Sequence, residues 1–418
     1  MSRPNRSRAN RPRTNAADSS PAPDPTAATR RRFLAGVAAV GLGATAGCLG
    51  APEPHYAGQD DPDTEWWPQS RFDRLGSCYN PNPVGPRDGV SERWSVDISA
   101  PSARPVVADG TAFLPTATAI RAVDAVTGEE RWREEADDAG TWPQQVAYHD
   151  GTVYVARLAD EGVLALDAET GEREWGFRQE GHGVYALLLD PDRPSLFVGD
   201  AEGNVYAVDL ETGDARWHRR VFGSVTGFAR GIPELLVATE AGEVYGLYST
   251  TGEALWRRKL PGHVTALATS NGGGAFVSTF GGPTVELDTG RTGATAWRTD
   301  VWSADSFVVT SKTAFAAGHR LVALDTRSGD RRWTGGETAQ CGPAAAGETV
   351  YAADEDGVTA YDFDGGVGVR HLRIGAERWS HSVEGSPTRG LAVADDAVFL
   401  LTQGGEDTSA KAYALESA

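Results

Sequence analysis

The residues that could bind metal ions are not spaced as a known metal motif. None of the eight histidines has the close spacing of a zinc site. The stretches Asp-Glu-Asp-Gly at 354–357 and Asp-Phe-Asp-Gly at 362–365 are acidic enough for Ca²⁺, but neither has the Glu that closes a calcium loop. We predict no metal site and no catalytic residue, and we interpret both stretches as solvated turns.

A basic and apolar segment near the start of the chain indicates export. Arg30 and Arg31 precede a run of small apolar residues from 35 to 46, which is too short to span a membrane. Paired arginines before such a run are typical of a twin-arginine signal, which carries folded proteins. The alternative, a buried amphipathic helix, is disfavoured by four glycines in the segment. Residues 1–47 are therefore predicted to be a signal peptide with a basic leader.

The motif that ends at Cys48 predicts a lipid anchor. Thr45-Ala46-Gly47-Cys48 resembles the lipobox of exported lipoproteins, in which the cysteine is lipidated and becomes the N-terminus. Thr45 replaces the usual Leu, and cleavage nearby with release of a soluble domain is the alternative. Residues 48–64, rich in Pro, Gly and Asp, are predicted to be a flexible tether. We expect the protein on the outer face of the cytoplasmic membrane.

The chain that follows this signal is strongly acidic. Residues 1–47 have a net charge of +6 and the whole chain −19, so the remainder carries −25. The lysines number only three, Lys259, Lys312 and Lys411, a composition typical of proteins that stay hydrated in concentrated salt. We predict a halophilic archaeon as the source. We also predict no binding to nucleic acid, whose phosphates this charge repels.

A degenerate repeat of about forty residues organises the rest of the chain. In its clearest copies, as at 207–217, Ala-Val-Asp or Ala-Leu-Asp is followed by Thr-Gly or Ser-Gly and then by Trp. The Asp can bond the backbone two residues on, and the Gly takes the positive φ that closes a β-hairpin. The Trp on the returning strand then packs between neighbouring sheets. These tryptophans are Trp94, Trp132, Trp175, Trp217, Trp256, Trp297, Trp333 and Trp379.

The repeat count predicts the fold. Eight apolar strand pairs precede these hairpins, the first at 106–114 and the last at 391–400. We predict an all-β chain, an eight-bladed β-propeller of four-stranded blades over 92–418, with a leader at 65–91 that packs on it. The last copy ends without a Trp, and Trp94 has no hairpin before it. The strand around 93–97 is therefore predicted to complete the C-terminal blade and close the ring.

The string Ala-Val-Asp-x-x-Thr-Gly-x-x-x-Trp at 207–217 resembles the pyrroloquinoline-quinone (PQQ) repeat of quinoprotein propellers. The segment 67–73, Trp-Pro-Gln-Ser-Arg-Phe-Asp, looks like the leader often found before such propellers. One branch of the family, the alcohol and sugar dehydrogenases, binds PQQ and Ca²⁺, usually beside a Cys-Cys disulfide that this sequence lacks. The other branch resembles the lipoprotein scaffold of outer-membrane barrel assembly, which is eight-bladed, lipid-anchored and without a cofactor.

The resemblance implies two functions. We predict a monomeric cell-surface binding or scaffold module for extracellular or membrane proteins or small ligands, with no cofactor. The alternative is a PQQ- and Ca²⁺-dependent oxidoreductase. A third hypothesis is glycan binding by Trp142 or Trp302.

A ring of residues at the start of the innermost strands is the first candidate site. These strands begin at one mouth of the central channel, where the ring could bind a small polar molecule or a peptide. A water-filled channel without a ligand is the alternative. By alignment of the repeats, the ring consists of Arg104, Gln145, His182, Thr226, His263, Trp302, Cys341 and Arg389.

The two cysteines beyond the anchor, Cys78 and Cys341, would lie outside the cell, where a disulfide can persist. We predict that they pair, which would attach the leader to the start of the seventh blade. Two free thiols are the alternative.

Overall fold

The computed structural model describes residues 65–418, except for 136–141, 159–161, 178–182, 232, 271–272, 291, 339–340, 370–371, 375–376 and 406–407. Eight blades of four antiparallel strands follow one another in the part of the chain that is described, in the order expected for a propeller, and a short strand of the leader adds in parallel to the seventh. Apolar clusters lie between consecutive sheets. One of them, for example, joins Phe113 and Trp132 of the first sheet to Val146 and Leu164 of the second. The all-β, eight-bladed fold is confirmed.

The strands are numbered in chain order. Two strands precede the first blade, β1 (Tyr79–Asn80) and β2 (Val90–Asp97). Blade 1 contains β3 (Val106–Ala108), β4 (Thr111–Pro115), β5 (Ala119–Asp124) and β6 (Glu130–Glu135). Blade 2 contains β7 (Pro143–His149), β8 (Thr152–Arg157), β9 (Val163–Asp167) and β10 (Arg173–Phe177). Blade 3 contains β11 (Val184–Asp190), β12 (Ser195–Asp200), β13 (Asn204–Asp209) and β14 (Ala215–Arg220). Blade 4 contains β15 (Val225–Arg230), β16 (Glu234–Thr239), β17 (Glu243–Tyr248) and β18 (Ala254–Lys259).

The second half of the ring repeats this plan. Blade 5 contains β19 (Val264–Thr269), β20 (Gly274–Thr279), β21 (Thr284–Asp288) and β22 (Ala294–Thr299). Blade 6 contains β23 (Phe307–Val309), β24 (Thr313–Ala317), β25 (Arg320–Asp325) and β26 (Arg331–Glu337). Blade 7 contains β27 (Ala344–Ala346), β28 (Thr349–Ala353), β29 (Gly357–Asp362) and β32 (Glu377–Ser382), with a hairpin of β30 (Val367–Val369) and β31 (Leu372–Ile374) inserted before its last strand. Blade 8 contains β33 (Ser386–Ala394), β34 (Ala397–Gln403) and β35 (Lys411–Ser417).

The ring closes because blade 8 takes its outer strand from the other end of the chain. β2 pairs antiparallel with β35, with Trp94 opposite Ala414. This arrangement confirms the predicted closure. It leaves no long unpaired edge between the first and last parts of the ring.

The repeat motif forms a contact between each blade and the next. At seven junctions the turn glycine has a positive φ, between 59° and 75°, and a Cβ on it would lie within 2.9 Å of the Trp of the preceding blade. Only glycine fits both the turn conformation and the Trp face. The pairs are Trp94–Gly128, Trp132–Gly171, Trp175–Gly213, Trp217–Gly252, Trp256–Gly293, Trp297–Gly329 and Trp333–Gly365.

The indole nitrogen makes these contacts directional. At six junctions Nε1 donates to the backbone carbonyl that follows the Asp position of the next blade, as Trp175 does to Leu210 at 3.1 Å. Blade 5 has one extra residue in its turn, and there Trp256 donates instead to the Glu234 carboxylate at 3.1 Å. Glu234 also accepts the N–H of Gly290 in the longer turn, so one carboxylate compensates for the insertion.

The leader forms a collar (residues 65–80) at the ends of the innermost strands. Its backbone carbonyls accept from Tyr148, Arg230, Thr269, Val309 and Ala345, which belong to blades 2, 4, 5, 6 and 7. It reaches blade 1 through a bridge from Trp67 to Val107, blade 3 through Gln69 and Leu189, and blade 8 through Glu65 and Asp395. We call this end of the channel the lower mouth, and the end at which the innermost strands begin the upper mouth.

No helix in the part of the chain that the structure describes has the length and apolar character needed to cross a membrane.

Candidate functional site

A polar cavity of about 140 Å³ lies in the channel below the upper mouth. Its walls come from the loops that lead into blades 1 and 6 and from the innermost strands of blades 2 and 8, and its floor comes from the collar. Three arginines and one carboxylate supply the charge. The lining residues are Ser70, Arg71, Ser102, Ala103, Arg104, Gln144, Gln145, Asp305 and Arg389.

Arg104 is the buried charge of the cavity, with only 4% of its surface exposed. Its Nη2 donates to Asp305 Oδ2 and to Ser306 Oγ, both at 2.9 Å. Its Nη1 donates to Cys78 Sγ at 3.1 Å. Burial alone would lower the pKa of Arg104, but Cys78 and Asp305 raise it above its ordinary value. The guanidinium therefore stays charged and fixed across the channel.

Arg389 is held in a conformation that few side chains adopt. Its φ is +68° and that of Gly390 is +94°, and the pairing of β33 with β34 shifts register between Thr388 and Ala392. This is a β-bulge, which can redirect a side chain at a site. The Arg389 carbonyl accepts from Arg104 Nε at 3.5 Å. Since left-handed residues outside glycine cost free energy, the surrounding contacts must hold this one in place.

Two further observations suggest that the cavity is built for a ligand. The Ser102 hydroxyl is buried and has no hydrogen-bond partner among the described residues. The Arg389 guanidinium makes no hydrogen bond or ion pair within that same part of the chain, although it lines the cavity. Unpaired buried polar groups are costly and rare in folded proteins, which applies to Ser102. Arg389 is exposed, so its guanidinium is accessible to an anionic ligand.

The structure separates the predicted ring into three groups. Arg104, Gln145 and Arg389 line the cavity together. His263 and Trp302 lie on the rim of the upper mouth, outside the cavity wall, and Thr226 is half-buried in β15. His182 lies outside the described residues, as do Arg30, Arg31 and Cys48.

Cys78 and Cys341 are both buried and free in this structure, so the predicted disulfide is not formed in it. Each sulfur accepts its own hydrogen bond, Cys78 from Arg104 and Cys341 from the Gly390 N–H at 3.0 Å. Burial raises the pKa of Cys341 to about 12, which keeps it a neutral thiol. Pairing of the two stays a prediction, and counting thiols in denaturant without reductant tests it.

The cavity does not fit a calcium and quinone centre. Ca²⁺ takes six to eight oxygen ligands, with several carboxylates or carbonyls among them. The cavity has one carboxylate, Asp305, which already pairs with Arg104. No group of three or more His, Cys, Asp or Glu that could hold a metal occurs among the described residues. Three guanidinium groups repel a divalent cation, and they suit an anion instead.

Several residues that line the cavity were not identified from the sequence. Asp305 lies in a loop without a repeat signature, and nothing in its neighbours distinguishes it. Arg71 could have been found, because the leader motif was recognised and holds this arginine. Its Nη1 donates to the Leu267 carbonyl at 3.3 Å, which places the guanidinium in the channel.

Together, the blade topology and the Asp, Gly and Trp repeat define a β-propeller of PQQ-like repeats. Comparison with models of known families narrows this class of propeller to one family. A model described as outer membrane protein assembly factor BamB matches residues 84–231 and 223–416, and the chain belongs to this family.

Similar proteins with curated descriptions match only part of the chain. The serine/threonine-protein kinase AfsK of Streptomyces griseus is 36% identical over 134 residues, which are 29% of this chain and 16% of the kinase. A 1-butanol dehydrogenase (cytochrome c) of Thauera butanivorans is 28% identical over 149 residues, 32% of this chain and 20% of that enzyme. The chain thus spans less than a quarter of either relative.

Solved structures share the fold. BamB from Moraxella catarrhalis has a TM-score of 0.58 at 16% identity, over 78% of this chain and all of that one. Quinohemoprotein alcohol dehydrogenase from Comamonas testosteroni has a TM-score of 0.64 at 14% identity, over 86% of this chain and 82% of that one. At these identities the likeness establishes the architecture alone.

Proposed function

We propose that this protein is an exported, lipid-anchored propeller that binds its partner through the upper mouth. The observation that carries the proposal is the cavity in which Arg71, Arg104 and Arg389 meet a single carboxylate. These arginines concentrate positive charge at one point of a chain whose net charge is −25 after residue 47. A partner that presents an anionic group, whether an extracellular or membrane protein or a small ligand, suits this point.

The lower mouth is a poorer candidate. The collar fills it with Trp67 and Phe72, whose rings lie 5.2 Å apart and are fully buried. Its backbone groups already bond the innermost strands of the blades. Little remains there to recognise a partner, and the collar serves as the floor of the site above it.

Export and anchoring rest on the sequence motifs and are tested directly. Replacing Arg30 and Arg31 by lysine should leave the protein inside the cell, because the twin-arginine signal requires the paired arginines. Cys48→Ala should release an exported protein from the membrane fraction. Retention of Cys48→Ala on the membrane would count against the lipid anchor.

Photocrosslinking in the native membrane tests the binding proposal. A photoreactive phenylalanine analogue is placed at Phe222, which is 64% exposed on an upper loop between β14 and β15. The control position is Val126, which is 59% exposed in the lower turn between β5 and β6. We expect adducts from position 222 that disappear when Arg389→Gln is added. Equal adducts from both positions, or none from 222, would overturn the proposal.

The alternative is a quinoprotein oxidoreductase, which the alcohol dehydrogenases among the relatives favour. Titration with PQQ and Ca²⁺ in molar salt, followed by absorbance and dye-linked alcohol oxidation, separates the two functions. Stoichiometric binding with turnover would establish the enzyme. We expect neither, because the cavity offers Ca²⁺ one carboxylate that is already paired.

A further inference from the structure

A row of four aromatic rings crosses the rim of the upper mouth over blades 5 and 6. His263 and Phe280 stack at 4.9 Å with an angle of 18° between their planes. The Phe280 ring then meets Trp302 edge-on at 6.0 Å, and Trp302 meets His319 edge-on at 5.5 Å. We call these residues the aromatic row. They come from four separate loops, and the propeller fold brings these loops together to form the row.

Most of the aromatic row is exposed to solvent. Phe280 is 61% exposed, His263 is exposed, and Trp302 is half-buried. Single exposed apolar side chains are ordinary, but contiguous ones indicate a binding surface. Of the large apolar side chains that are exposed in the described part of the chain, all but Val126 are aromatic. The surface therefore offers flat rings and few aliphatic groups.

Close packing of the loops makes the row rigid. A Cβ on Gly318, the residue before His319, would lie 2.8 Å from Trp302 Nε1. The Phe280 N–H donates to the His263 carbonyl at 3.0 Å, and the Ala304 N–H donates to the Ala317 carbonyl at 2.9 Å. Because these contacts join the loops in pairs, the fold positions the rings before a ligand arrives. Such preorganisation lowers the entropy cost of binding.

The aromatic row leads to the arginine cavity. Trp302 and Asp305 lie on the same loop between β22 and β23, so their Cα atoms are at most about 11 Å apart. The Thr265 hydroxyl donates to the Ser303 carbonyl at 2.6 Å, which ties the strand after His263 to that loop. Asp305 in turn pairs with Arg104. A ligand of a few rings would reach from Trp302 into the cavity.

We propose that the upper mouth binds an oligosaccharide whose terminal sugar carries a carboxylate. This inference rests on the proposed function and names the chemistry of its ligand. A sugar ring has one face of C–H groups, which packs against an aromatic ring, while its hydroxyls bond to neighbouring polar groups such as His263. The terminal carboxylate enters the cavity and accepts from Arg389 and from the Ser102 hydroxyl. Both donors are unpaired among the described residues.

Charge favours this ligand over a nucleic acid, which would also use stacking and arginines. A nucleic acid brings one phosphate per nucleotide against a surface of net charge −25. An oligosaccharide with one terminal carboxylate places its only charge inside the cavity. In molar salt the Debye length is about 3 Å, so the contact pair inside the cavity persists while longer-range attraction is screened.

Calorimetric titration in molar KCl tests the inference. The probes are short neutral oligosaccharides that end in a single uronic acid and the same molecules after chemical reduction of that one carboxylate. The full chain should bind the acidic forms at least tenfold more tightly than the reduced forms. Arg389→Gln should remove that difference, while Phe280→Ser should weaken binding of both forms at least tenfold.

Phe222→Ser is the matched control, because Phe222 is as exposed as Phe280 on another rim loop, and its ring contacts no other ring in the described part of the chain. It should change affinity less than twofold. No preference for the acidic forms, an equal loss in Phe222→Ser, or tighter binding of a single-stranded oligonucleotide or an acidic peptide would overturn the inference. Arg389-dependent crosslinks from position 222 would then still support the proposed function, so the two failures are distinguishable.

Discussion

Trp379 Nε1 donates to the Pro86 carbonyl at 3.0 Å, and this bond links the last complete blade to the segment before the first. At six of the other junctions the corresponding acceptor lies in the turn between the third and fourth strands of the next blade, and at the seventh it is the Glu234 carboxylate. Blade 8 has no such turn, because its third and fourth strands, β35 and β2, are the two ends of the ring. Pro86 replaces the missing turn carbonyl. Tyr351 donates to the same oxygen at 3.0 Å.

Trp379→Phe should therefore loosen the leader as well as the ring. Loss of the hydrogen bond should cost about 1–2 kcal/mol of unfolding free energy. Trp132→Phe is the control, because Trp132 donates to Ala168 at 2.9 Å in a turn that is covalently continuous. We expect similar losses of stability, with faster proteolytic cleavage at residues 81–89 only in Trp379→Phe. Equal cleavage in the two variants would contradict the role given to Pro86.

The Gly–Trp contacts between blades predict that alanine substitution lowers stability by different amounts at two glycines of similar conformation. Gly213 has φ +73° and a Cβ there would lie 2.7 Å from the Trp175 ring, whereas Gly151 has φ +83° with nothing within 4 Å. Both alanine variants lose unfolding free energy because alanine, unlike glycine, is disfavoured at positive φ. Gly213→Ala should lose about 1–3 kcal/mol more than Gly151→Ala, because it also overpacks the junction. Chemical denaturation measures both, and equal losses would mean that the blades can separate without strain.

Much of this fold was predictable from the sequence because each blade repeats the same local arrangement of a turn, a strand and a Trp contact. The spacing of Asp, Gly and Trp fixes a turn, a strand and an inter-blade contact, and the unmatched Trp94 indicated how the ring closes. Glu234 shows the limit of such reasoning. It stabilises a turn that begins more than fifty residues later, and no local pattern distinguishes it from a surface glutamate.

The site was less predictable because it depends on loops. Three ring residues, Arg104, Gln145 and Arg389, were identified by alignment alone, since equivalent positions in a propeller converge on the channel. The repeat does not specify loop conformation, so Asp305 and Phe280 were not found. The conformation of the Arg389 bulge could not be predicted from the sequence either, because Arg is seldom found at positive φ.

A buried ion pair beneath the cavity predicts how tightly the collar is held. Arg230 Nε donates to Asp190 Oδ2 at 2.9 Å, with both side chains at most 4% exposed, and the Arg230 N–H bonds the Arg74 carbonyl of the collar at 2.7 Å. Asp190→Ala should cost about 3–5 kcal/mol, because it leaves an unpaired buried charge. Asp190→Ala with Arg230→Met should recover part of that loss. If the double variant were less stable than Asp190→Ala, the pair would not be the source of the effect.

Asp73 makes the collar sensitive to pH. Burial raises the pKa of its carboxyl from 3.8 to about 6, although hydrogen bonds from the Ser77 N–H and hydroxyl lower it. Because the folded pKa is the higher one, folding favours the protonated acid. The resulting stabilisation is fully present below about pH 3.8 and is lost as the pH rises through about 6. The attachment of the collar is therefore weaker at neutral pH than in acid.

Asp73→Asn, which cannot ionise, isolates this effect from the many surface carboxylates that also titrate. The unfolding free energy of the wild type minus that of Asp73→Asn should fall as the pH is raised from about 3.8 to about 6 and then level off. Ser77→Ala removes the hydroxyl donor to the carboxylate and keeps the backbone N–H donor, so it should extend that fall to higher pH. A difference that stays flat above about pH 5, where an ordinary Asp is already ionised, would show that Asp73 is solvated in the folded protein. In that case its hydrogen bonds to Ser77 would hold the collar at any pH, and burial would not matter.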